Sequence, residues 1–194
     1  MLRLFIALPV EPTVKQFLAE TITKLRDIAG NVKWVDPKNV HLTVKFLGDT
    51  DDKLVEQIAE KMDRIASRNQ PIECTLDRLG AFPNLRRPRV FWAGMSSAEG
   101  VMETLGHMAG AVDLAVSKLG FERESRPFKS HLTLGRVRTP SGLDALTDYV
   151  KTTKVTPCPV YLDRLVLFKS TLTPKGPIYD RLHEAVLGEQ RFEG

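Results

Sequence analysis

Apolar positions recur along this chain with two different periods, and those periods mark out its elements. Arg3-Leu4-Phe5-Ile6-Ala7-Leu8-Pro9 is a short apolar run closed by a proline, which reads as a buried strand. From Glu11 to Ala29 the apolar residues Val14, Phe17, Leu18, Ile22, Leu25 and Ile28 fall at helical spacing, with Gly30 as the stop. A strand is predicted from Val40 to Leu47, followed by a turn at Gly48-Asp49-Thr50. Leu54, Ile58, Met62 and Ile65 predict a helix over 51–68, and 71–79 reads as a strand. After a Pro- and Arg-rich loop, Val90-Phe91-Trp92-Ala93-Gly94 is a strand, and Ser97 is placed to cap a long helix that Gly120 ends. A charged loop over 122–129 leads to a strand from His131 to Val137, then a short helix over 143–150. A strand over 160–169, a turn at Thr173-Pro174-Lys175-Gly176-Pro177 and a last strand over 178–187 complete the pattern.

Strands and helices mix here without a regular βα alternation. That predicts an α+β fold with antiparallel sheets and helices packed outside them. Of the 194 residues 42% are hydrophobic, enough for a substantial core. We read the chain as one domain, 1–194, made of two intertwined lobes. The net charge of +4, from 28 Lys and Arg against 24 Asp and Glu, suits an anionic substrate but not a long nucleic-acid footprint. Cys74 and Cys158 form no CxxC motif and read as isolated thiols of a reducing compartment. No apolar stretch approaches the roughly 20 residues that span a bilayer, and the opening residues form a strand-like run rather than a secretory leader. A cytoplasmic monomer without membrane contact is expected.

The chemistry lies in a repeat. His41-Leu42-Thr43-Val44 returns as His131-Leu132-Thr133-Leu134. On a strand, residues i and i+2 share a face, so each copy offers one imidazole and one hydroxyl about 7 Å apart along the chain. Leu42, Val44, Leu132 and Leu134 turn to the opposite face. Two such strands side by side bring a base, an acid and two neutral donors to one volume, which suits phosphoryl chemistry. The repeat also implies internal pseudo-symmetry.

With their flanks, His41-Leu42-Thr43-Val44-Lys45-Phe46-Leu47-Gly48 and Pro127-Phe128-Lys129-Ser130-His131-Leu132-Thr133-Leu134-Gly135-Arg136 resemble the two signatures of the 2H phosphoesterases. Within that superfamily the chain is similar to the RNA 2′,3′-cyclic phosphodiesterases, also called 2′-5′ RNA ligases. The resemblance runs from Arg3-Leu4-Phe5-Ile6-Ala7 through Arg89-Val90-Phe91-Trp92-Ala93-Gly94 to Leu167-Phe168-Lys169-Ser170-Thr171-Leu172 and Gly176-Pro177-Ile178-Tyr179. It implies a bilobed, pseudo-symmetric fold with two antiparallel sheets lining a central cleft. One departure stands out: Ser130 precedes the second signature His, where such proteins often carry Pro.

The resemblance implies hydrolysis of RNA 2′,3′-cyclic phosphate ends to a 2′-phosphate, with His41 as proton donor and His131 as proton acceptor. Reversible 2′-5′ ligation would use the same pair. Thr43 and Thr133 would bond the nonbridging oxygens. Arg136 is a candidate phosphate ligand although it stands off the alternating face of its strand. Lys45, at i+4 from His41, shares the His41 face on simple alternation and is a candidate substrate contact. Arg126, in the approach loop, and Phe5, as a base platform, complete the candidate set. Phe82 is a second platform, Phe46 and Trp92 read as core, Tyr179 as a rim hydroxyl, and Trp34 as a packing anchor. No cofactor and no metal are expected, since the histidines form neither HxH nor HExxH. Two rivals remain: a 2′,5′-phosphodiesterase or small cyclic-nucleotide phosphodiesterase, and a non-catalytic RNA-end binding module. The expected partner is RNA with a 2′,3′-cyclic phosphate end or a related cyclic phosphate nucleotide.

Overall fold

Two antiparallel sheets face one another across a cleft, and helices cover their outer sides. The computed structural model describes residues 1–174 and 176–188. One sheet orders His41–Thr50 (β3), Leu2–Pro9 (β1), Arg164–Thr173 (β8) and Gly176–Val186 (β9). The other orders Val32–Trp34 (β2), His131–Val137 (β6), Val90–Ser96 (β5), Ile72–Phe82 (β4) and Cys158–Leu162 (β7). The helices are Pro12–Ile28 (α1), Val55–Ala66 (α2), Val101–Ser117 (α3) and Asp144–Thr152 (α4). The expected α+β architecture is therefore present, and β3 and β6, the two signature strands, touch one another.

The helices interleave the two halves. α1 follows a strand of the first sheet, yet its buried stripe of Val14, Leu18, Ile22 and Leu25 lies towards β2, β7 and α4 of the second. α2 returns to the first sheet and packs on β8 and β9, while α3 touches both β3 and β4. Leu4, Ile6 and Leu8 of β1 and Leu132 and Leu134 of β6 enter one apolar cluster with these helices. Each such side chain, fully buried, contributes about 1.5–3 kcal/mol. The cleft side of the first sheet holds a separate small cluster: Phe5, Ala7, Val166 and Phe168, with Tyr179 packed against it. Among the described residues, no helix is long and apolar enough to cross a membrane.

Four features differ from the sequence reading. The run read as one strand over 160–169 is two strands, β7 and β8, in different sheets. Asp163 and Arg164 interrupt the apolar positions for only two residues, too short a gap to mark a change of sheet. Gly48-Asp49-Thr50 is not a turn but continues β3 opposite Leu2, Arg3 and Leu4. Gly48, at φ 70°, takes the backbone through a bulge that leaves Leu47 without a partner on β1. The short strand β2 has no counterpart in that reading; three residues are too few to show a period. Gly100, not Ser97, stands at the N-cap of α3. Of the predicted turn at 173–177, Lys175 lies outside the described residues.

Candidate active site

The two signature strands are built alike. Their burial patterns match position for position through the sixth residue. In each, the His and Thr are half-buried on the cleft face and the intervening Leu is fully buried. Each then carries a bulge at the same place. Val44 is inserted between the pairs Thr43–Ala7 and Lys45–Ile6, and Leu134 between the pairs Thr133–Trp92 and Gly135–Phe91. An extra residue reverses the alternation beyond it. The residue after the bulge therefore turns inward and the next one turns out to the cleft side.

That shift decides three of the sequence candidates. Arg136, which simple alternation leaves off the face, comes out exposed beyond Thr133. Phe46 occupies the equivalent position on β3 and is 63% exposed, so it is not the core residue expected. Lys45 goes the other way and is only 4% exposed. Its Nζ donates to Asp113 Oδ1 at 2.8 Å, to the Glu122 carbonyl at 2.6 Å and to Glu124 Oε1 at 3.1 Å. The expectation that Lys45 touches substrate is corrected: its three donors are spent on α3 and on the loop that follows it.

Both imidazoles are held in the same manner. Nδ1 of His41 lies 2.7 Å from the Asn39 carbonyl, and Nδ1 of His131 lies 2.7 Å from the Lys129 carbonyl. In both cases the partner is two residues upstream and can only accept, so Nδ1 carries the hydrogen. Nε2 is then the basic atom of each neutral ring. Among the described residues, neither Nε2 has a hydrogen-bond partner, nor does the hydroxyl of Thr43 or Thr133.

Their surroundings differ. The His41 ring stacks on Phe5 with centroids 4.7 Å apart and meets Tyr179 edge-on at 5.4 Å. Burial there disfavours the imidazolium; the bond to Asn39 opposes this, and the charge of Lys15 adds to it. The pKa falls to about 4. His131 meets the ring of Phe82 edge-on at 4.9 Å. Its pKa is also lowered, first by burial and further by the charge of Arg136, against the bond to Lys129. Arg136 acts as well on Tyr179, whose phenol is raised by burial and pulled back by Arg136 and Arg3. One guanidinium thus lies within electrostatic reach of His131 and of the ring that touches His41.

The remaining candidates fall differently. Phe5 is 3% exposed, sealed beneath His41 and stacked on Phe168 at 5.1 Å. It backs the imidazole and offers no free face to a base, which corrects the platform expectation. Arg126 is exposed on the loop before β6 and makes no hydrogen bond or ion pair among the described residues. Trp34 packs near Phe91, as an anchor does. Lys15, whose charge bears on His41, escapes the sequence reading, because nothing in the sequence of α1 sets it apart from other helical lysines. Among the described residues, no three His, Cys, Asp or Glu side chains converge as a metal-ligand set.

Known proteins resemble this chain in sequence and in fold. The model of the LigT like Phosphoesterase family matches residues 8–92 and 97–179. A protein of Thermotoga maritima named RNA 2′,3′-cyclic phosphodiesterase is 34% identical over 194 residues, covering 100% of this chain and 97% of that one. A protein of the same name from Archaeoglobus fulgidus is 34% identical over 183 residues, covering 93% and 98%. A crystal structure from Thermus thermophilus superposes with a TM-score of 0.77 at 28% identity, covering 97% of this chain and 100% of that chain. Apo LigT of E. coli, at 23% identity, covers 97% of this chain and 98% of that one with a TM-score of 0.71, and so shares the fold.

Proposed function

The chain belongs to the LigT-like family of 2H phosphoesterases, and from that premise we propose that it hydrolyses the 2′,3′-cyclic phosphate ends of RNA to 2′-phosphates, without a metal, by paired action of His41 and His131. One observation carries the reading. Two imidazoles on touching strands have Nδ1 tied to backbone carbonyls, which leaves both Nε2 atoms for proton transfer.

In the forward direction His131 Nε2 accepts a proton from water as the water oxygen attacks phosphorus. The bond from phosphorus to O3′ breaks, and His41 gives its proton to O3′. Such positioned acid–base action is typically worth about 10²–10⁴-fold. Thr43 and Thr133 hydroxyls donate to the nonbridging oxygens, where negative charge grows. Arg136 offers a planar fork to the same oxygens, and Arg126 adds charge at the approach. Phe5 and the Asn39 and Lys129 carbonyls fix ring orientation.

The test uses purified protein, an oligonucleotide with a 2′,3′-cyclic phosphate, and EDTA. Turnover is expected to persist with EDTA and to yield a terminal 2′-phosphate. Failure of the intact protein to convert this substrate rejects the reading, and a 3′-phosphate product rejects the assigned direction of ring opening.

A pH prediction follows from the two lowered pKa values. The competent free enzyme holds His41 as imidazolium and His131 as neutral imidazole. His41 loses its proton above about 4, and His131 becomes neutral through a value below 6.5. The optimum of kcat/KM, which reports the free enzyme, is therefore expected below pH 6.5. Bound phosphate adds a negative charge beside His41 and favours its imidazolium, so the alkaline limb of kcat should lie at higher pH than that of kcat/KM. Superimposable limbs, with chemistry rate-limiting, would count against this charge assignment.

A further inference from the structure

Each signature imidazole has a cation near it: Arg136 bears on His131, and Lys15 bears on His41. Arg136 has a task at the reacting phosphate, whereas Lys15 has no anionic partner. It is half-buried near the start of α1, and among the described residues it forms no ion pair. Its Nζ donates to the Lys38 carbonyl at 2.9 Å, one residue before the carbonyl that holds His41 Nδ1. The neighbouring acids are engaged elsewhere. Asp36 Oδ2 takes the Lys38 ammonium at 3.1 Å, and Glu11, one turn before Lys15, bears on Cys158.

The charge that does reach Lys15 is itself positive. Burial lowers the Lys15 pKa first, and Arg181 of β9 lowers it further. Arg181 stands on the cleft face: it pairs with Phe168 across β8 and β9, and it shares its side of β9 with Tyr179, the ring that meets His41 edge-on. Its Nη1 donates to Glu184 Oε1 at 2.8 Å. The other oxygen of that carboxylate accepts from Arg164 at 3.0 Å, so one negative charge is shared by two guanidiniums. Glu184 thus fixes Arg181 in place, while the remaining N–H groups of its exposed fork have no partner among the described residues. Two cations within reach of one another, one of them half-buried and unpaired, make an arrangement that a bound anion relieves.

We infer that Lys15 and Arg181 form a second anion subsite, which takes the phosphate on the 5′ side of the terminal nucleotide. The inference rests on the functional reading above, in which His41 gives its proton to O3′. That role puts the terminal ribose on the His41 side of the reacting phosphorus. The 5′ carbon of the ribose leads on past His41, and the next phosphate of the chain follows within a few bonds, where the two cations stand. The subsite makes the enzyme prefer a chain end, or a nucleotide with a 5′-phosphate, to a cyclic phosphate on a bare nucleoside. A phosphate held there also offsets the Lys15 charge, which otherwise opposes the imidazolium of His41.

The experiment compares kcat/KM on adenosine 2′,3′-cyclic phosphate with and without a 5′-phosphate, at low ionic strength. The 5′-phosphate is expected to raise kcat/KM about tenfold, the order of one charge-assisted hydrogen bond. Lys15→Met and Arg181→Gln should each lower that ratio, the double variant should bring it close to one, and Lys15→Arg, which keeps the charge, should retain most of it. A purely structural loss, such as a displaced Lys38 carbonyl or partial unfolding, slows both substrates alike and leaves the ratio where it was. No gain from the 5′-phosphate in the intact protein, or a gain that survives in the double variant, overturns the subsite while the hydrolase reading stands. If neither nucleotide is converted, the hydrolase reading falls, and calorimetry decides the subsite alone. Adenosine 2′,5′-bisphosphate should bind about tenfold more tightly than adenosine 2′-phosphate, and the double variant should lose that difference. Equal affinity of the intact protein for the two nucleotides overturns the subsite.

Discussion

Replacing either His41 or His131 with Ala is expected to lower kcat/KM on an RNA 2′,3′-cyclic phosphate by about 10²–10⁴-fold, and replacing both should cost little more than the worse single change. The two rings act on one event. Water attacks only as its proton leaves, and O3′ departs only as a proton arrives, so removal of one partner strands the other. Residual turnover in the double variant would come from Thr43, Thr133 and Arg136 holding the phosphate. The measurement is single-turnover conversion of a labelled cyclic-phosphate oligonucleotide, read beside the thermal melt of each variant. Neither ring anchors the main apolar cluster. The melts should therefore change far less than the rates. A double loss equal to the product of the two single losses would show independent action and refute the pairing.

The parts of the fold that are legible in the sequence are those whose signal is local and periodic. Val14, Leu18, Ile22 and Leu25 form the buried stripe of α1 as their spacing predicts, and Leu42 and Leu132 are buried as alternation predicts. The twin signature is legible for the same reason, since a strand turns His and Thr to one side. What escapes depends on partners far along the chain. Neither Val44 nor Leu134 announces a bulge, because the inserted residue exists only relative to the register of β1 and β5. Gly135 fits the inward turn after the bulge: a Cβ there would lie 2.6 Å from Val32 and 2.7 Å from Trp34, so only glycine sits against these side chains of β2 without displacing them. Without that register Arg136 looks misplaced, Phe46 looks buried and Lys45 looks exposed, and each impression is reversed by one extra residue per strand. Phe5 misleads for a related reason. Its neighbour on the cleft side is His41 itself, which no spacing within β1 reveals.

Lys45→Met is expected to destabilise the protein by about 3–5 kcal/mol, the usual cost of removing one partner from a buried ion pair. For a chain of this size that corresponds to roughly 2–4 °C of melting temperature per kcal/mol. Asp113, 6% exposed, would keep Arg123 and the Glu124 backbone N–H but lose the ammonium at 2.8 Å, and the Glu122 carbonyl would lose a donor. The Glu124 pair adds little, because that carboxylate is 55% exposed. Burial alone would push Lys45 down, but its bonds to Asp113 and Glu124 outweigh it and the pKa is raised. Burial pushes Asp113 up, and its bonds to Lys45, Arg123 and the Glu124 amide bring it below the usual value. The stabilisation from Asp113 is therefore present above pH 3.8 and is lost as pH falls through its lower folded value, while that from Lys45 is present below 10.5 and is lost as pH rises through its higher one. Chemical denaturation of wild type, Lys45→Met and Lys45→Met/Asp113→Leu separates the two views of this lysine. An internal tie predicts a large loss in the single variant and recovery in the double, where two apolar side chains replace the charges. A substrate contact predicts a raised KM with stability intact, and that outcome would refute the buried pair as the reason Lys45 stands where it does.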